Sequence, residues 1–163
     1  MITLRKMTED EFRAFKESSV ADYAVDLMKG RNLSPEQALM EAEEEFDADL
    51  PDGPDTEYSF VMNIEDGNGT KVGWIFFKYY AREDDGRSYV FLEDLLIFEL
   101  ERRKGFASAA IHKMNMLARQ DGCSSSVLFV WDHNPGGMNL YEKCGYKPYS
   151  REEGGTYMVK ELG

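Results

Sequence analysis

Histidine and cysteine are scarce in this chain, two of each among 163 residues, and no Cys-x-x-Cys spacing occurs. That argues against a structural zinc site, which needs four thiolate or imidazole ligands, and against a disulfide framework. Cys123 and Cys144 are read as reduced, buried thiols. No window approaches the roughly 18 apolar residues of a membrane-spanning helix, and the opening MITLRKMTEDEF lacks the apolar core of a secretory leader. The expectation is a cytoplasmic protein with no membrane partner, folded as a single domain over residues 1–163. Basic residues are missing from one long stretch. Between Asn32 and Thr70 there is no Lys or Arg, and the acids there leave 19 elsewhere to balance the 19 bases, so this stretch carries the whole net charge of −12. Nucleic acid is a poor partner for such a chain, because a duplex-binding surface must neutralise phosphates. Two phosphate loops are absent as well: no second glycine precedes a Lys-Ser/Thr pair, and no Gly-x-Gly-x-x-Gly occurs.

What is present is orderly. A short apolar stretch at 2–7 reads as a strand. TEDE at Thr8 and SPEQ at Ser34 are capping boxes, each opening a helix. The first helix aligns Phe12, Phe15, Ser19, Tyr23 and Leu27, and the second Leu39, Ala42, Phe46 and Leu50. The segment 58–81 reads as a hairpin turning at Gly and Asn, and RSYVFLEDLLIF as a central strand apolar at nearly every position. A helix from about Lys104 to Asp121, a strand SSSVLFVW, a short helix PGGMNLYEKCG ended by Gly145, and a strand GTYMVKEL complete the order β-α-α-β-β-β-α-β-α-β, with room for a further strand near 146–149. Helices at these intervals cover a mixed sheet on both faces, an α/β arrangement.

Between the central strand and the long helix stands RRKGFA. A helix start presents unpaired N–H groups and the positive end of the dipole, and Gly105 admits a ligand without a Cβ in the way. Arg102, Arg103 and Lys104 add positive charge. An exposed basic turn that merely starts a helix is the alternative.

Arg102 to Ala107 has the form Arg-x-x-Gly-x-Ala directly after EDLLIF, and NPGGMNLYEKCGY downstream matches Asn-x5-Leu-Tyr-x3-Gly-(Phe/Tyr) at Asn134, Leu140, Tyr141, Gly145 and Tyr146. Together these resemble the GNAT superfamily of acetyl-CoA-dependent N-acetyltransferases. The resemblance implies a mixed, mostly antiparallel sheet with helices on both faces, and acetyl-CoA as cosubstrate without a metal. It implies that the turn of Arg102, Arg103, Lys104, Gly105, Phe106 and Ala107 cradles the coenzyme A pyrophosphate. It further implies that the main chain at Leu95, Leu96 and Ile97, with Asn134, meets the pantetheine arm. The chain departs from the family where Arg103 stands in place of a frequent glycine, Glu99 in place of a frequent proline, and Gly137 in place of a common alanine.

Acetyl transfer to an alkylamine needs a base, because the amine is mostly protonated at neutral pH. Strand alternation puts Glu93 on the face of Leu95 and Ile97, with Asp94 on the other. Glu93 is the candidate base, the alternative being a residue that only orders water or pairs with a cation. Tyr141, with an ordinary pKa near 10, would protonate the departing thiolate, or is a core tyrosine beside Leu140 and Cys144. Asn134 caps the short helix, contacts pantetheine, or does both. Cys144 lacks a nearby histidine and His112 and His133 lack a nucleophile, which favours direct transfer in a ternary complex. The acceptor would be an amine of a small molecule or of a protein or peptide. Asp49, Asp52, Asp55 and Glu57 are expected near its entry, whereas Glu36, Glu43 and Asp47 face solvent. The alternatives are an acetyl-CoA sensor or an acidic interaction module without turnover, and the chain is expected as a monomer or homodimer.

Overall fold

In the computed structural model, which describes residues 1–163, both capping boxes form. Strand β1 (Thr3–Lys6) leads into α1 (Glu9–Arg31), where the Thr8 hydroxyl accepts from the Glu11 N–H and the Glu11 carboxylate accepts from the Thr8 N–H. Asn32, in the left-handed region at φ 57°, stops the helix. Helix α2 (Pro35–Asp49) opens on the reciprocal Ser34–Gln37 pair. Its inward stripe differs from the expected one at the first turn. Ala38 is fully buried and Leu39 is 46% exposed, because α1 and α2 meet through small residues, Ala24 against Ala38 and Ala42, beside Val20 and Leu27. On α1, Val20 and Ala24 take the buried positions, while Ser19 and Tyr23 lie half-buried beside them.

The hairpin β2 (Ser59–Glu65) and β3 (Lys71–Ala81), the strands β4 (Ser88–Ile97) and β5 (Cys123–Trp131), and a final hairpin β6 (Lys147–Glu152) and β7 (Gly155–Glu161) form one seven-stranded sheet. Its order is β1-β2-β3-β4-β5-β7-β6, and only β4 and β5 run parallel. β6 is longer than the short strand expected near 146–149. Helix α3 (Phe106–Gln120) buries Ala110, Ile111, Met114 and Ala118 against Ile75, Phe77 and Val90 on one face. On the other face, Phe12 and Phe15 of α1 pack against Val61, Trp74 and Phe76. Helix α4 (Pro135–Lys143) lays Met138, Leu140 and Tyr141 against the α3 core. Tyr146, buried just after it, shares its hydroxyl with Ser126 Oγ at 2.7 Å and Asn115 Nδ2 at 3.0 Å, tying the end of α4 to β5 and α3.

Two irregularities in β4 shape everything near it. Opposite β3, Phe76 pairs with Asp94 and Phe77 with Leu92, so Glu93 is an extra residue, a β-bulge. On its other side β4 pairs with β5 only from Ser88 to Leu92, whereas β5 continues beside β7 to Trp131. The two parallel strands therefore part beyond Leu92.

The approach of β3 to this part of β4 depends on Gly73, where a Cβ would run into the carbonyl oxygen of Leu96. Gly73→Ala should cost about 1–3 kcal/mol, read as a lower urea midpoint at unchanged m-value. A midpoint equal to that of the wild type would show that the strands separate there freely.

Candidate active site

The turn after β4 is built to leave donors open. A single helical turn at 99–101 ends on Arg102, whose Nε–H donates to the Ile97 carbonyl at 2.9 Å and braces the turn against β4. Arg103 adopts φ 64° and Gly105 φ 84°. The left-handed conformation at Arg103 is one a glycine takes without strain; here an arginine bears that cost and adds an exposed charge. The N–H groups of Arg103, Lys104 and Gly105 meet no backbone acceptor, and no side chain caps α3. A Cβ on Gly105 would meet nothing within 4 Å, so the space over the turn is open. Consecutive free N–H groups at a helix start, ringed by Arg102, Arg103 and Lys104, suit a phosphate ester. Phe106 and Ala107 begin the helix beneath them.

Beside the gap between β4 and β5 lies a cleft of about 540 Å³, walled by α1, α2 and the sheet. The bulge corrects the expected alternation in β4. Leu95 and Ile97 pack toward the α3 core, Leu95 at the edge of the cleft, whereas Glu93 and Asp94 both turn to the side of α1 and α2. Asp94 Oδ2 accepts from Ser19 Oγ at 3.1 Å and Trp74 Nε1 at 3.2 Å, both on the α1 side of the sheet. Glu93 Oε1 accepts from Tyr80 Oη at 3.0 Å, and its other oxygen has no partner. Burial, then the neighbouring Asp49, pushes the Glu93 carboxyl up to about 8. Burial lifts Asp94 to about 6, held back by its bonds from Ser19 and Trp74. Tyr141 lines the same cleft with no hydrogen-bond partner. Burial and then the charge of Asp94 push its phenol up to about 12, so it stays protonated at neutral pH.

Glu93, Leu95, Asn134 and Tyr141 thus border one cleft, and the turn of residues 102–107 lies at the far end of the same strand. Leu96 faces the Trp74 cluster instead. Asn134 caps α4, its Oδ1 accepting from Gly137 N–H at 3.0 Å, and its amide sits so close over Gly137 that a Cβ there would collide with it. Cys144 Sγ is 3.9 Å from Ser108 Oγ, His112 is exposed, and His133 pairs with Asp26 at 2.8 Å while stacking on Trp131. The four acids expected near the acceptor entry do not stay together. Asp52 and Asp55 lie outside the cleft, Asp55 paired with Lys6, and Glu57 is exposed. Of that group only Asp49 reaches the cleft, where it is joined by Asp22 and Asp26 of α1, Glu45 of α2 and Glu152 of β6. The α1 acids had a signal: Ser19, Asp22 and Asp26 recur at helical spacing, a polar ridge beside the apolar one. Asp94 was discounted by a parity that the bulge breaks.

The Acetyltransferase (GNAT) family model matches residues 13–146. The N-acetyltransferase YdgE of Bacillus subtilis is 30% identical over 144 residues, covering 88% of this chain and 90% of that protein. The crystal structure of the acetyltransferase YycN from Bacillus subtilis superposes with a TM-score of 0.83 at 25% identity, covering 93% of this chain and 96% of that one. The fold is also that of the PaiA N-acetyltransferase from Thermoplasma acidophilum, crystallised with coenzyme A, with a TM-score of 0.70 at 16% identity over 99% of both chains.

A buried carboxyl with a raised pKa has a signature in stability. The unfolded chain ionises Glu93 near its ordinary value, about 4.3, while the folded chain resists until about 8, so the wild type loses stability as pH rises between the two. Glu93→Gln should therefore unfold at a higher urea concentration than the wild type at pH 8, with the gap closing below pH 4. A variant no more stable than the wild type at pH 8 would place Glu93 in a solvated setting.

Proposed function

The chain belongs to the GNAT family of acetyl-CoA-dependent acetyltransferases, and on that premise we propose that it moves the acetyl group of acetyl-CoA to a primary amine by direct attack, with both substrates bound together. The observation that carries this reading is the meeting of two raised carboxyls and a protonated tyrosine beside the opening between β4 and β5. The turn of Arg102, Arg103, Lys104, Gly105, Phe106 and Ala107 would hold the pyrophosphate. The pantetheine arm would follow the main chain of Leu95, Leu96 and Ile97 into the gap, with Asn134 across from it. Bound there, acetyl-CoA supplies an activated thioester.

Glu93 accepts the proton of the incoming ammonium. Its raised pKa suits the task, because a base with a pKa near the working pH is both available and strong. The amine nitrogen then bonds to the carbonyl carbon, and amide N–H groups of β4 left free by the gap steady the oxygen. As the carbon–sulfur bond breaks, the Tyr141 hydroxyl passes its proton to the thiolate, and the proton that the newly acylated nitrogen sheds restores the phenol. Cys144, with no base beside it, favours this direct route over an acylated enzyme.

Acetyl-CoA and coenzyme A should each raise the melting temperature, by the equivalent of about 2.7 kcal/mol at a hundred times Kd, and Gly105→Val should abolish the rise. Failure of both ligands to bind the wild type in calorimetry would remove the basis for turnover. The pH–rate profile tests the base separately. Activity should fall as pH drops through the Glu93 pKa, and Glu93→Gln should erase this acidic limb. Asp49→Asn should move the limb to lower pH, since the Asp49 charge holds the Glu93 pKa up. Tyr141→Phe should lower kcat with the fold retained. Losses under about threefold, roughly 0.65 kcal/mol, would make Glu93 and Tyr141 structural.

A further inference from the structure

Glu93 is the bulge residue of β4, so the ladder that fixes its neighbours leaves its own orientation to side-chain contacts. One hydrogen bond meets its carboxylate. Tyr80, on the adjacent strand β3, brings its hydroxyl 3.0 Å from Glu93 Oε1. Burial and the Glu93 charge hold the Tyr80 phenol well above its ordinary pKa, so it keeps its proton and is the donor in this bond. Tyr80 is itself held in place. Its ring stacks on that of Tyr89, its cross-strand partner, with centroids 5.4 Å apart, and Lys78 Nζ lies 5.6 Å from its centroid. Lys78 in turn donates to the Asp49 carbonyl at the end of α2, at 2.6 Å. Asp94, next in sequence to Glu93, turns to Ser19 and Trp74, and Tyr141 in the same cleft makes no hydrogen bond to either carboxylate. The groups that act on Glu93 therefore come from α2 and β3: the charges of Asp49 and Glu45 disfavour its ionisation, whereas Lys78 and the Tyr80 bond favour it. Tyr89 is neutral beside it, its phenol raised by burial and by Glu93.

Resting on the transfer reading above, we infer that Tyr80 is a positioning residue for the base. Its hydroxyl engages Oε1 of Glu93 and leaves the second oxygen free to take the proton of the incoming ammonium. Tyr80 acts through Glu93 and takes no proton itself. A carboxylate carried on a bulge without this bond would sample several rotamers, and each unproductive one takes the base out of reach. The bond also favours the charged form, opposing Asp49, so two neighbours from different elements bracket the acidity at which Glu93 works.

The test is Tyr80→Phe, which keeps the ring and its stack and removes only the donor. In this variant the Glu93 carboxyl should titrate about one pH unit higher than in the wild type. It is followed by carbon-13 NMR of glutamate-labelled protein and assigned by the signal that Glu93→Gln loses. The acidic limb of the pH–rate profile should move up with it, opposite to the shift in Asp49→Asn. At pH 7, kcat should fall about tenfold as the ionised fraction of the base drops, while KM for acetyl-CoA stays unchanged. Tyr79→Phe removes a hydroxyl bonded to Asp121 on the other face of the sheet and should alter neither readout. A Glu93 titration or an acidic limb that stays in place in Tyr80→Phe overturns the inference, because the tyrosine then serves packing alone. If no amine is acetylated, the transfer reading fails by itself, and the titration of the substrate-free protein still decides whether Tyr80 holds the carboxylate.

Discussion

The extra residue at Glu93 is the constraint on which the rest of the site depends. An inserted residue bends a strand and sharpens its twist, and β4 is paired to β5 up to the bulge and parts from it just beyond. The bulge also brings two consecutive carboxylates, Glu93 and Asp94, to the same cleft, which strict alternation forbids. Gly73 keeps the neighbouring strand close to the departing end of β4, where a side chain would meet the Leu96 carbonyl. The opening is thus part of the sheet and requires no mobile lid.

Around that opening the protein carries features that work against its stability. Glu93 resists ionisation in the fold, Asp49 and Glu45 add to the strain on it, and Arg103 takes a backbone conformation that glycine would adopt freely. Such departures concentrate where chemistry requires them, and the surrounding core must outweigh them. It does so with ordinary means. The aromatic cluster of Phe12, Phe15, Trp74 and Phe76 clamps α1 to the sheet, and Trp74 also donates to Asp94, so packing and the orientation of a site carboxylate share one side chain. The buried Tyr146–Ser126–Asn115 network performs the matching service on the α3 face.

Electrostatically the two ends of the site are opposites. The turn at 102–107 is cationic and rich in free N–H groups, whereas the cleft collects seven carboxylates against a single arginine. A polyanionic cosubstrate would be drawn to the first end and repelled from the second.

Much of this was legible in the order of residues. The two capping boxes, the hairpin, the strand–turn–helix around Gly105 and the asparagine cap at Asn134 are local devices, in which a residue and its partner lie within a few positions, and each formed as read. The phosphate-suited turn belongs to this class because backbone dihedrals and helix polarity are local quantities. Three other matters were decided only by the assembled structure. Ala38 replaced Leu39 at the helix contact because the distance between α1 and α2 sets the size of residue allowed there. Glu93 and Asp94 reached one cleft because the register between β3 and β4 slips by a residue, which no pattern within β4 alone reports. The acids that line the cleft beside Glu93 are Asp22, Asp26, Glu45, Asp49 and Glu152, drawn from α1, α2 and β6, whereas Asp52 and Asp55 lie outside it. Charge density along a chain is a one-dimensional property; a binding field is the sum over side chains that folding brings together from distant segments.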